Sequence, residues 1–170
     1  MRRKASVIAV AVLSLAVGVL AQAPSLTGKW TLVVDPNAPA GGGGRGGRGG
    51  GGFGQFCGME CTIAQDAATL TVTRTTQAGE MKTVYKLDGS ENKSTQDMGG
   101  RGTLTTLSKA TVSGGKILIT TNTDMSAFGG PTQEAKMTLS LEGGNLVVER
   151  TAPGFQDPTP VTTKQTYKKN

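Results

Sequence analysis

The chain has 170 residues and a formal net charge of +6, with 36% hydrophobic and 4% aromatic residues. This length supports one hydrophobic core and is short for two full domains. The chain contains no histidine, which excludes Ser-His-Asp and Cys-His nucleophilic sites and histidine-ligated zinc. We therefore expect a single domain that is not an enzyme and that has no catalytic residues, no metal and no cofactor.

Residues 1–21 have the three parts of a cleaved signal peptide. Arg2, Arg3 and Lys4 precede an apolar stretch at 5–20, and small residues follow it. We expect cleavage after Ala21, so that 22–170 form the mature single domain. Loss of the three basic residues lowers the net charge from +6 to +3. The sequence thus predicts an exported protein, periplasmic or extracellular, without a membrane anchor and without a nucleic-acid partner.

The folded part opens with Gly28-Lys29-Trp30, which contains the only tryptophan, and alternates as a strand over 28–34. A glycine-rich segment follows this strand, and eleven of the fourteen residues from Gly41 to Gly54 are glycine. Glycine has little side chain to bury and the most backbone entropy to lose, so we expect a disordered loop at 38–56. Its two Arg-Gly-Gly copies are too few to indicate RNA binding.

Cys57, Met59 and Cys61 place three sulfur atoms within five residues. Two cysteines in an oxidising compartment most often form a disulfide. Four residues of extended strand span roughly 13 Å, whereas a disulfide needs its α-carbons within about 7 Å. The segment must therefore turn near Gly58, and the next strand should start at or after Cys61. The alternative is a three-sulfur Cu(I) site formed by the same side chains.

Threonine and valine are abundant from Cys61 onward, and turn residues return at short intervals. The alternation predicts strands at 28–34, 61–66, 69–76, 80–88, 101–112, 116–124, 133–141, 145–151 and 161–168. Longer connections are expected at 92–100, 125–131 and 153–160, and no helix is expected outside the signal. Short hairpin turns favour an all-β fold, an antiparallel up-and-down barrel of eight to ten strands, over the alternative β-sandwich.

Three short motifs resemble those of lipocalins and related calycins. Gly28-Lys29-Trp30 is similar to the Gly-x-Trp motif of their first strand, and Thr123-Asp124-Met125 lies roughly where lipocalins carry Thr-Asp-Tyr. Arg150 ends the eighth predicted strand, where the family places an arginine against the tryptophan. The resemblance covers residues 26–168 and implies a lipocalin-like barrel. In such a barrel Trp30 is buried at a closed end, with Arg150 or a last-strand lysine beside its ring.

The alternation also predicts which side chains face the barrel interior and line a ligand site. These are Trp30, Leu32, Val34, Leu70, Val72, Tyr85, Leu87, Ile117, Ile119, Leu139, Leu141, Leu146 and Val148. Few aromatic residues are available to fill a barrel, and abundant threonines make its interior amphipathic. We expect a protein that binds a small apolar or amphipathic molecule there. The alternative is a filled barrel in a non-enzymatic envelope or extracellular interaction protein.

Overall fold

The computed structural model describes residues 24–34, 56–76, 79–97, 100, 102–153 and 159–170. Ten antiparallel strands form one sheet: β1 (Gly28–Leu32), β2 (Glu60–Gln65), β3 (Thr69–Thr76), β4 (Gly79–Lys86), β5 (Asn92–Asp97), β6 (Thr103–Ser113), β7 (Lys116–Asp124), β8 (Gln133–Glu142), β9 (Asn145–Pro153) and β10 (Pro160–Lys169). A short 3-10 helix, Ser126–Phe128, lies between β7 and β8. No helix within the described ranges is long and apolar enough to cross a membrane.

The strand order β4-β3-β2-β1-β10-β9-β8-β7-β6-β5 is that of an up-and-down barrel. The sheet curls until β4 approaches β5 and β6. Across this seam the Asn92 side-chain amide donates to the Val84 carbonyl at 2.6 Å, and the Gly89 N–H donates to the Ala110 carbonyl at 2.9 Å. The barrel is therefore nearly closed, and the predicted all-β barrel is confirmed over the sandwich.

Neighbouring strands run in opposite directions, so successive connections alternate between the two ends of the barrel. Short turns at 66–68, 87–91, 114–115 and 143–144 lie at one end, here the lower end. Connections that follow the odd-numbered strands start and finish at the upper end, including the long ones between β1 and β2 and between β7 and β8. The predicted signal peptide and residues 38–55 of the predicted glycine-rich loop lie outside the described residues.

Trp30 anchors the lower end of the core. Its side chain is 1% exposed, and its indole N–H donates to the Leu26 carbonyl at 2.8 Å. The Lys169 ammonium lies 5.7 Å from the ring centroid, so the expected last-strand lysine is beside the tryptophan. Gly28 has a φ of +148°, a backbone conformation that favours glycine, and an added Cβ would lie 2.6 Å from Lys169 Cε, so the flexible end of that lysine would have to move. Arg150 is not at this ring and faces Thr163 on β10, toward the upper end.

The predicted ranges omit β5, and the bounds of the other strands differ from the predicted ones by at most two residues. β5 occupies Asn92–Asp97, inside a predicted loop, because its residues are polar on both faces and carry no apolar alternation. β1 ends at Leu32, and Val34 beyond it is 62% exposed rather than inward. β2 begins at Glu60, one residue before the predicted earliest start.

Candidate functional site

The barrel interior collects nearly all of the predicted inward residues. Trp30, Leu70, Val72, Tyr85, Leu87, Ile117, Ile119, Leu139, Leu146 and Val148 are buried in one core, and Leu32 packs against it half-buried. Leu141 is an exception, as Val34 is, because its side chain is 39% exposed. It is the last residue but one of β8, where the strand has passed the lower rim before the 143–144 turn. The prediction that Leu141 lies inside is therefore wrong.

The lower half of the interior is filled by side chains. Tyr167, which the inward prediction missed, is fully buried opposite Leu32 and Leu146. Leu26, just before β1, is also fully buried. These large groups pack around Trp30 and make this half of the interior apolar. It supports the barrel and is not the part open to a ligand.

The upper half of the interior has the opposite character. Its inward positions follow from register: Arg74 faces Met81, Thr106 faces Thr123, and Arg150 faces both Met137 and Thr163. Eleven side chains at such positions, most of them polar, are only partly buried. They are Arg74, Met81, Thr83, Gln96, Thr106, Thr121, Thr123, Gln133, Arg150, Thr163 and Gln165. We call this set the upper interior. Solvent reaches these side chains, whereas four apolar residues at inward positions of the same half are buried: Leu104, Ala135, Met137 and Ala152. The upper interior is therefore a partly exposed polar surface interspersed with buried apolar side chains, above an apolar floor.

An arginine and two phenols meet where the two halves join. The Arg74 guanidinium lies 3.1 Å from the Met81 sulfur. Burial raises the pKa of Tyr85 and of Tyr167 to about 12, and the Arg74 charge opposes this in both. The Tyr167 hydroxyl donates to Gln165 Oε1 at 3.0 Å. Both phenols are therefore protonated at neutral pH.

The disulfide turn closes beside these phenols. Cys57 and Cys61 are bonded, with their α-carbons 5.0 Å apart, as predicted. Gly58 turns the chain at a φ of +68°, a conformation that favours glycine. Phe56, the last residue of the predicted loop, belongs instead to the core and stacks on Tyr85 with ring centroids 6.2 Å apart. Because both thiols are bonded, the alternative Cu(I) site has lost its thiolate ligands.

Acidic side chains contribute nothing to the interior of the described chain. All ten acidic residues there are exposed. Asp66, Asp88 and Asp124 each accept hydrogen bonds from their own turns, which lower the pKa of these carboxyls. Within the described ranges, no three side chains of the His, Cys, Asp or Glu type cluster closely enough to hold a metal ion.

Arg74 was not predicted to be inside the barrel, and Arg150 was expected only beside Trp30, although the sequence carried a signal for the inward position of both. Leu70 and Val72 lie on the inward face of β3, and the period of two continues to Arg74. Leu146 and Val148 lead in the same way to Arg150 on β9. The signal was missed because no charged residue was assigned to the interior from its place in the alternation.

No protein-family model matches the chain, and no curated protein is significantly similar to it. The function must therefore be argued from the barrel itself.

Proposed function

We propose that this protein is an exported, non-enzymatic binding protein that holds a small amphipathic molecule in the upper interior of its barrel. One observation carries the proposal. Along the strands, inward positions change from fully buried apolar side chains at the lower end to a mixture of partly exposed polar side chains and buried apolar ones, among them Leu104, Ala135 and Ala152, at the upper end. A concave surface with an apolar floor and a few placed polar groups is the ordinary design of a small-molecule site.

The side chains that enzymes commonly use for acid–base or nucleophilic catalysis are missing from the interior of the described chain, which supports a binding role. The chain has no histidine. Its described carboxylates are all exposed, and the two described cysteines are bonded to each other. General acid–base or nucleophilic catalysis in the upper interior would depend on Tyr85 and Tyr167, whose raised pKa of about 12 makes them poor bases at neutral pH.

Export and kinship to lipocalins belong to the same proposal. The disulfide fits an oxidising compartment, periplasmic or extracellular, as the signal-like residues 1–21 suggest. Burial of Trp30 beneath Lys169 at the closed end supports the resemblance to lipocalins.

Native mass spectrometry of the freshly purified protein tests the proposal. We expect a bound small molecule that is lost on denaturation. Ala135→Phe, on an inward position opposite Thr121, should obstruct the upper interior and reduce the bound fraction. Ala64→Phe adds the same ring at an exposed position of β2 and should leave the bound fraction unchanged.

A native mass equal to that of the bare chain, together with no thermal stabilisation by any member of a panel of amphiphiles, would refute a carrier role. That result would favour the alternative, an interaction protein with a filled barrel. Equal effects of the two phenylalanine substitutions would place the bound molecule outside the barrel.

A further inference from the structure

The barrel wall has an open strand edge along the seam between β4 and β5. These are the two end strands of the sheet, and no ladder joins them among the described residues. The Asn92 side-chain amide occupies the Val84 carbonyl in the lower half of β4. Above this contact, residues 79–83 pair with β3 on one side and have no described strand partner on the other. This segment is therefore an edge to which a further strand can be added.

The backbone of this segment turns hydrogen-bonding groups toward the seam. In an antiparallel ladder, successive residues direct their N–H and C=O groups alternately toward the two sides of the strand. The Val84 carbonyl points to β5, whereas the Leu87 N–H donates to the Ala68 carbonyl, just before β3, at 2.8 Å. By this alternation the N–H and C=O groups of Glu80 and Lys82 also point to the seam, where no ladder of the described strands reaches them.

The side chains of the same segment carry two opposite charges that are not compensated within the described chain. Glu80 and Lys82 are both exposed on the outer face, and their neighbours on β3 are Thr75 and Thr73. Neither charge takes part in an ion pair between described residues. Met81 lies between them at an inward position and is half-buried. The order along the edge is thus acidic, apolar, basic.

This order is its own complement when two copies of the segment run antiparallel. In a pairing centred on Met81, Glu80 of each copy lies directly opposite Lys82 of the other. The same register brings the seam-facing N–H and C=O groups of these residues together, so that they can form ladder hydrogen bonds. Opposite charges stabilise such cross-strand pairs, and like charges destabilise them. An edge that carried lysine at both positions would repel its copy.

We propose that this edge is an interface between two copies of the chain, in which β4 pairs with β4 about a two-fold axis at Met81. The partner is a second copy because the charge order and the backbone alternation are both self-complementary under this symmetry. The paired segment is short, so the dimer is weak and forms reversibly at high protein concentration. It does not depend on a molecule bound inside the barrel.

Sedimentation equilibrium of the unmodified protein from about 10 µM to about 1 mM tests the proposal, since weak complexes dissociate in this range. We expect the mean mass to rise toward that of a dimer as the concentration increases. Glu80→Lys and Lys82→Glu each place like charges opposite one another and should weaken dimerisation about 10-fold or more. An equimolar mixture of these two variants restores opposite charges in both pairs and should dimerise again.

Two further variants serve as control and as a check of the register. Lys86→Glu makes the same charge change as Lys82→Glu at an exposed position outside the paired segment, and should have no effect. Met81→Cys should give a disulfide-linked dimer on mild oxidation, because the two positions face each other with α-carbons about 4.5 Å apart. Thr83→Cys, the next inward position, lies opposite Gly79 of the other copy and should stay unlinked.

A protein that remains monomeric throughout this concentration range would overturn the proposal. A dimer that both charge reversals leave intact, or that Lys86→Glu weakens equally, would overturn it as well. Equal cross-linking of the two cysteine variants would refute the pairing about Met81. The binding function proposed above is tested separately, by the bound fraction, and none of these results changes it.

Discussion

Tyr85 and Tyr167 are the only tyrosines of the chain, so their ionisation can be followed without interference. Both are buried, and burial raises the pKa of each from 10.0 to about 12. We predict that the native protein shows little tyrosinate absorbance at pH 10 to 11, where the tyrosines of an unfolded chain pass from about half ionised to about nine-tenths ionised. An ultraviolet pH titration of the folded protein, compared with the same titration in denaturant, measures the difference.

The raised pKa of the two tyrosines also predicts that the folded protein loses stability at alkaline pH. A raised pKa means that the folded state holds the phenolic proton more tightly, so this stabilisation is complete below pH 10. It is lost as the pH rises through about 12. One pKa unit corresponds to about 1.4 kcal/mol, so each tyrosine costs about 2–3 kcal/mol of stability across this interval. Two such losses approach the whole stability of an ordinary domain, and we expect cooperative unfolding near pH 12.

Tyr85→Phe provides the control for this experiment. It removes one ionising group and keeps the ring that stacks on Phe56, so the alkaline transition should move to higher pH and lose half of its tyrosinate amplitude. The reasoning is refuted if the native protein titrates near pH 10 while its circular dichroism stays unchanged. In that case both hydroxyls would be solvated, and the junction between the two halves of the interior would be open to water.

Two further predictions concern stability. Leu139→Ala should lower the free energy of unfolding by about 2–5 kcal/mol because Leu139 is fully buried. Leu141→Ala on the same strand should lower it by less than about 1 kcal/mol because Leu141 is 39% exposed. Urea denaturation of the two variants measures both losses, and similar values would contradict the position of the lower rim. Replacing Cys57 and Cys61 together by serine should lower the free energy of unfolding by about 2 kcal/mol, because the unfolded chain regains loop-closure entropy. Thiol titration of the native parent protein should detect no free thiol, and two titratable thiols would contradict the disulfide.

The sequence predicted the barrel well wherever strands have one apolar face. β3 and β8 carry that alternation, which predicted Leu70, Val72 and Leu139 on the inward face. The prediction did not include the inward residues Arg74, Ala135 and Met137, and it was wrong for Leu141. The sequence of β5, Asn-Lys-Ser-Thr-Gln-Asp, has no apolar alternation and therefore predicts a loop. It forms a strand all the same, because a strand beside the seam can be polar on both faces. Periodicity alone could not show this, since its strand identity depends on pairing with β6.

The candidate site was harder to predict than the fold. Its apolar floor follows from composition and alternation. The two inward cations do not, because an arginine on a strand is usually assigned to the wet face. Phe56 also escaped prediction, since its burial depends on the disulfide turn that carries the chain back to Tyr85. Long-range contacts of this kind leave no local pattern.

The position of β1 between β2 and β10 has a consequence for how the barrel folds. Most ladders join neighbouring hairpin strands, but the one between β1 and β10 joins residues 139 positions apart, as in the hydrogen bond between Thr31 and Asn170. Closing so long a loop carries a large entropic cost before any contact rewards it. The two meanders β1 to β4 and β5 to β10 should therefore form early and separately. Pairing of β1 with β10 then joins them in the slow step, and the last strand of the chain must be present before the barrel can exist.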